Sequence, residues 1–386
     1  MADTASTAKT DSAQPTIHIE ERQLKLHDFL KTSVKINGSD VHLQVDSVPM
    51  VRVDGRPRFL DVPKLTNETM IEYVNQIINS QAEPADKKQI LEHKGSVDVA
   101  YSMGVGQPRF RVNLFHSRER YSIVMRRIVT KIPMFDELNL PPQVEQLADY
   151  QRGLIVVSGT TGSGKSTTLA AILGKINRVR AERIITVEDP VEFQHENNKC
   201  FVSQVEVGTD SESYEYALRS MMRQDPDTIL IGGIRDSFSL TTALRAADTG
   251  HLVYTTVHAT NAPLTVERLV SLFDPLQKEL QRTQLGMNLV AVMSQRLAKR
   301  RDGKGRVPVV EVMMATPLTR KYILDGEYDK LKGCVGNREG GSQSFDQHLT
   351  ELFQKQTIDV TEAKRLATNV DSLNLALRGI SNSESR

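Results

Sequence analysis

Eight consecutive residues, Gly159-Thr160-Thr161-Gly162-Ser163-Gly164-Lys165-Ser166, satisfy G-x-x-x-x-G-K-[ST] at every fixed position. The chemistry of that spacing is phosphate capture. Its glycines let backbone N–H groups turn inward around phosphate oxygens, and a helix opening at the loop's end adds the positive end of its dipole. Lys165 would reach the β- and γ-phosphates, and the Ser166 hydroxyl would ligate Mg²⁺, with Thr167 next along the opening helix. A Gly/Ser-rich loop without a ligand is the plainer alternative. The loop, however, follows an apolar strand (154–158) and opens a helix (166–176), which is the context the motif requires. ATP with Mg²⁺ is therefore the expected bound species.

Such a loop does not by itself choose among kinases, GTPases and motors. Three further segments bear on the choice. Residues 184–193 read I-I-T-V-E-D-P-V-E-F, an apolar strand ending in Glu188 and Asp189. Carboxylates at a strand's C-terminal end can orient a water or hold the magnesium shell, and the same pair reads equally as a solvated turn before Pro190. Residues 223–236 read R-Q-D-P-D-T-I-L-I-G-G-I-R-D, and residues 249–259 read T-G-H-L-V-Y-T-T-V-H-A. The last carries His251 and His258, whose odd separation puts them on opposite faces of a regular strand unless His251 sits in the preceding turn. Arg219 and Arg223 stand one helical turn apart, as interface residues or as members of a neutralised helix face.

The elements that must position these residues fall into two sets. Residues 1–18 have too little apolar content to offset the entropy of ordering, so a disordered tail is expected. Over 19–128, a helix at 19–34, strands at 41–45 and 50–53, and a helix at 67–79 capped by Asn67 precede further strands at 96–103, 109–115 and 124–129. That mixture predicts a smaller α+β domain. Residues 129–142, with three prolines among 131–142, read as a linker. From 143 to 386 short apolar strands (153–158, 183–187, 228–232, 251–257) alternate with helices, which predicts a parallel sheet covered by helices. A strand at 307–314 follows, then a helix starting at Pro317 after the cap Thr316.

Together these segments resemble the secretion ATPase superfamily, and within it the type IV pilus retraction ATPases of the PilT/PilU family. The resemblance also covers S-D-V-H-L (39–43), V-R-V-D-G (51–55) and R-F-R-V-N-L-F (109–115). It implies an α/β chain in which a RecA-like P-loop motor domain follows a PAS-like N-terminal domain, assembled as a hexameric ring. It also implies roles. Glu188 would activate the attacking water, and His251 and His258 would sense the γ-phosphate. Arg111 and Arg126, otherwise two surface arginines on strands, would reach a neighbouring subunit's γ-phosphate. The implied partners are further copies or a paralogous retraction ATPase, and an inner-membrane platform protein, with the ring at the cytoplasmic face of that membrane. Absence of a four-cysteine metal module favours retraction over assembly, and Ser344 to Gln347 with Gln295 to Leu297 look closer to PilU than to PilT.

One departure stands out. The family's Walker B strand ends in Gly-Glu before Ile-Arg-Asp, whereas here it ends in Gly232-Gly233. A water-positioning carboxylate is missing, so impaired hydrolysis is expected while binding survives. A secretion motor for another cargo, or a nucleotide-binding subunit beside an active paralogue, are the alternatives.

Composition narrows the rest. A net charge of +1 gives no sign of a nucleic-acid partner, and no apolar run approaches the roughly 20 residues of a membrane span. The first fifteen residues lack a basic n-region and an apolar h-region, so no secretory signal is expected. Cys200 and Cys334 form no Cys-x-x-Cys pair and read as plain thiols of a reducing cytosol.

Overall fold

Strands Gly153–Ser158 and Thr228–Ile231 are buried at every residue, as a parallel sheet covered on both faces requires. They belong to the larger of the two units into which the chain divides, residues 130–386, the smaller being 1–129. The computed structural model describes residues 17–18, 25–53, 55–81, 83–104, 107–128 and 131–378.

In the larger unit seven strands lie in the order Phe201–Glu206, Arg183–Glu188, Thr228–Ile231, Leu252–Val257, Gly153–Ser158, Leu289–Lys299 and Arg306–Met314. The first six run parallel and the last pairs antiparallel with its neighbour. Alternation along each strand feeds two separate cores. Leu154 and Val156 join Ile229, Ile231 and Leu240 on one face. Ile155 and Val157 join Leu169, Ile172 and Tyr254 on the other. The Tyr254 hydroxyl, fully buried, donates to the Leu147 carbonyl at 2.8 Å, so burying the phenol leaves no polar atom unpaired. The strands at 201–206 and 289–299 went unpredicted. The second opens directly from helix Pro275–Asn288, without a turn signal to mark the change of period.

The smaller unit carries a second seven-stranded sheet, mostly antiparallel, on which helices Leu26–Lys35 and Asn67–Asn79 bury Phe29, Leu30, Met70 and Ile77. Two expectations are corrected here, the extent of the disordered tail and the cap of the second helix. Ile17–His18 pairs in parallel with Arg56–Asp61, so the expected disordered tail does not extend over those two residues; residues 1–16 lie outside the described residues. The expected helix at 19–34 is described over Leu26–Lys35, residues 19–24 being outside the described residues. The cap of the second helix is Thr66, whose hydroxyl accepts from the Thr69 N–H at 3.2 Å, and not Asn67. A helix at Pro84–Lys94 was not foreseen, because it has one buried residue, Leu91, and hence no apolar stripe. The expected linker, 129–142, holds a short helix at Phe135–Leu138, while residues 129–130 lie outside the described residues.

Candidate functional site: the P-loop edge of the parallel sheet

Parallel strands place all their C-terminal ends on one edge, so the segments that follow them share a single surface. Residues 159–164 follow one strand, and Glu188, Gly232-Gly233 and His258 end or follow three others.

The loop 159–164 turns directly into helix Lys165–Val179, whose N-cap Gly164 holds φ +89°. Only glycine takes that conformation without strain. Space enforces the same choice, since a Cβ at Gly164 would lie 2.7 Å from Gln295 Nε2. Gln295, from the neighbouring strand and 2% exposed, donates from Nε2 to the Ser163 carbonyl at 2.8 Å and accepts from Thr168 Oγ1 at 2.8 Å. It therefore ties the loop's backbone to the first turn of its helix. Nothing in the loop's own sequence signals this partner, 132 residues away.

Lys165 is buried and folds back, its Nζ donating to the Gly159 and Thr160 carbonyls at 3.0 Å each. Burial lowers the ammonium's pKa and the Glu192 carboxylate opposes the shift. The Ser163 hydroxyl is buried without a partner, a donor left free at the loop. Loop, lysine and orphan hydroxyl fit a phosphate chain. Ser166 and Glu188 line one pocket together with Leu169, Phe193, His195 and Thr256. A hydroxyl and a carboxyl opening on one space suit a hard cation that prefers oxygen. Ser166 would hold Mg²⁺ there, and the ion's chemistry would be to neutralise negative charge on the phosphates. Among the described residues there is no cluster of three or more His, Cys, Asp or Glu suited to a metal.

The strand of Glu188 stands three places from that of the P-loop, with two strands between. Its Oε1 accepts from Thr186 Oγ1 at 2.7 Å and from Gln204 Nε2 at 3.3 Å. Burial raises the Glu188 pKa to about 7, against those two bonds and one from the Glu192 N–H, all of which favour the charged form. Gln204 also donates to the Phe193 carbonyl at 2.8 Å and accepts from the His195 N–H at 2.8 Å, pinning the loop beyond Pro190 beside Glu188. His195 is held neutral by burial, its pKa pushed down to about 4, and its Nδ1 has no partner. Neither residue was singled out beforehand. The strand bearing Gln204 was missed, and its pairing with the Glu188 strand is what brings the two together.

Gly233 follows strand Thr228–Ile231 at the same edge. The Tyr214 hydroxyl brackets it, donating to its carbonyl at 2.7 Å and accepting from its N–H at 3.1 Å. A Cβ there would meet Thr256 Oγ1 at 3.4 Å, an ordinary contact, and the backbone is outside the left-handed region. A Cβ therefore fits at this position. Its absence is a chemical gap and not a steric necessity.

Of the two histidines, only His258 lies at the P-loop. Burial lowers its pKa, as do the cationic Lys165 and Arg268, while a bond with the Gly159 backbone opposes them. His251 precedes the strand Leu252–Val257 and so stands at the opposite edge, about 20 Å away along six strand residues. There its Nδ1 meets the Ala246 carbonyl at 2.9 Å and Thr249 Oγ1 at 3.0 Å, closing the end of helix Ser237–Asp248. Only one of the two therefore lies near the P-loop, as their odd separation led one to expect, although His251 sits in the turn before the strand; within the chain it caps a helix. Arg219 pairs with Glu215 one turn earlier and lies over Phe238, which is the neutralised-face arrangement, and Arg223 is bound through the Arg219 carbonyl. Arg111 and Arg126, in the smaller unit, face each other across paired strands.

Comparison with known proteins places these features. The family described as type II/IV secretion system protein matches residues 21–364. The chain is 38% identical over 347 residues to the type IV pilus retractation ATPase PilT of Pseudomonas aeruginosa, covering 89% of this chain and 98% of that protein. It is 36% identical over 356 residues to the type IV pilus ATPase PilU of the same organism, covering 92% of each. The crystal structure of the pilus retraction motor PilT with bound ADP matches with a TM-score of 0.82 at 35% identity, covering 91% of this chain and 99% of that one.

Two outcomes follow for turnover of ATP. A carboxyl held near pKa 7 is protonated below that value and cannot take a proton. Turnover should therefore rise with pH through about 7, and Glu188→Gln should remove the rise, as read from phosphate release against pH. Gly233→Glu should fold as the parent does and increase steady-state phosphate release by on the order of 10²-fold or more. An unchanged rate would show that the gap is filled by another group.

Proposed function

Since the chain belongs to the type II/IV secretion system protein family, we propose that it is an ATP-driven motor subunit of type IV pilus retraction, with hydrolysis weakened at Gly233. The observation that carries this reading is the P-loop edge itself. A complete phosphate loop, braced by Gln295, shares one sheet edge with Glu188 and His258, in a chain that spans 98% of a retraction ATPase.

In this reading the loop N–H groups and Lys165 hold the phosphate chain of ATP, and Ser166 holds Mg²⁺. Glu188 orients the attacking water. Arg111 and Arg126 act on the nucleotide of a neighbouring copy, where guanidinium forks stabilise charge spreading over the transferred phosphoryl group. The site is then complete only in an assembly, as a homo-hexameric ring or a ring mixed with a paralogue. Rotation between the units about residues near Pro133 would convert nucleotide exchange into movement. The output would pass to an inner-membrane platform protein, from a ring at the cytoplasmic face. No helix among the described residues is long and apolar enough to cross a membrane.

A second reading is favoured by Gly233 alone: a nucleotide-binding subunit with very slow turnover that works beside an active paralogue. The 38% and 36% identities to PilT and PilU do not separate the two relatives.

Native mass spectrometry with ATP and Mg²⁺ should find a six-membered assembly, pure or mixed with a paralogue. A monomer or dimer under those conditions would contradict a cycle that needs arginines in trans.

A further inference from the structure

The smaller unit's sheet sets four residues in one transverse row. Arg52 pairs with Asp40, Asp40 with Arg126, and Arg126 with Arg111, each directly opposite the next. Opposed side chains on antiparallel strands share a face, with Cβ atoms about 4.5–5.5 Å apart. The face is the one turned from the core, since Val41, Met125 and Val112 point the other way into it. Two arginines side by side there repel each other, and a stable sheet has no need of them.

How they are held is informative. Arg126 Nε donates to Asp40 Oδ1 at 2.9 Å, while the Arg126 side chain stays 69% exposed and that of Asp40 only 8% exposed. Asp40 Oδ2 accepts from Ser39 Oγ at 2.7 Å, which fixes the carboxylate in turn. Arg111 presents the same atom, Nε, to Asp98 Oδ1 at the longer distance of 3.8 Å. A carboxylate held by two parallel N–H groups of a guanidinium would make the stronger, two-pronged contact. Here the buried acid takes Nε, and the rest of the Arg126 side chain stays exposed. Such an arrangement suits a second, external oxyanion, because a guanidinium can bind one acid through Nε while its terminal N–H groups bind another.

We propose that Asp40 is a positioning residue, which anchors Arg126 through Nε so that its fork, beside that of Arg111, is aimed outward at a phosphoryl oxyanion. The inference rests on the reading that these arginines act on a neighbouring copy's nucleotide. Asp40 touches no phosphate itself. Its effect runs wholly through Arg126, by limiting the orientations the long side chain can sample before the transition state forms.

The test is a double-mutant cycle on the full chain with ATP and Mg²⁺, reading kcat, KM and melting temperature. Arg126→Ala should lower kcat at least about 100-fold, as loss of an arginine acting in trans does. Asp40→Ala should lower kcat about tenfold with KM within about twofold, and the double variant should match Arg126→Ala alone. Asp40→Asn, which keeps an acceptor for Nε, should lose about threefold and carries the test if the alanine variant does not fold. A full effect of Asp40→Ala persisting in the Arg126→Ala background would overturn the proposal, since the acid would then be acting structurally. So would a drop for Arg126→Ala with none for Asp40→Ala. No change for Arg126→Ala would instead remove the underlying reading of the arginines, and this inference with it.

Discussion

Gln295 holds the phosphate loop in shape from outside the loop. Its amide nitrogen carries the Ser163 carbonyl, its oxygen receives the Thr168 hydroxyl, and no Cβ fits between it and Gly164. The rest of the site depends on this contact, because the N–H groups of a cradle capture phosphate only if the backbone is already curved. The contact depends in turn on the parallel pairing of Leu289–Lys299 with Gly153–Ser158, where Ser294 stands opposite Ser158. Their hydroxyls meet at 2.6 Å, and Thr265 donates to Ser158 at 2.8 Å, so the polar atoms beneath the loop are paired. The loop is built on a satisfied floor.

Local pattern made part of this legible. The P-loop is contiguous and every fixed position is chemically necessary, so eight residues sufficed to place it. The strands beneath it are short apolar runs, and their common edge follows from parallel pairing. What was not legible depends on register between distant segments. Gln204 reaches Glu188 only because Phe201–Glu206 pairs in parallel with Arg183–Glu188, and that strand is only partly buried and lacks clean alternation. The odd separation of His251 and His258 set them apart, but it did not show that they end at opposite edges of the sheet, which the strand between them fixes. The brace from Gln295 is a contact across 132 residues, beyond any periodicity.

Capture and cleavage make separate demands, and this chain meets them unequally. Capture needs backbone N–H groups, a lysine and a hydroxyl, all present and mutually braced. Cleavage needs a group that orients water and takes its proton. In the proposed cycle Glu188 is that group, and burial raises its pKa to about 7, so a fraction of it is protonated at pH 7. At Gly233 the second carboxylate is absent, although the backbone and the space would accept a Cβ there. Tyr214 keeps that backbone in position and supplies no base, its own pKa being pushed up to about 12 by burial. The chemistry therefore predicts a subunit that retains ATP longer than it would with both acids in place.

The most direct test is a single-turnover experiment on the native chain, with protein and Mg²⁺ in excess over ATP. Bound nucleotide is quenched and identified as ATP or ADP over time. If capture and cleavage are separated as argued, binding finishes well before cleavage, and the early bound nucleotide is recovered as ATP. Recovery as ADP from the earliest times, with cleavage keeping pace with binding, would contradict the account.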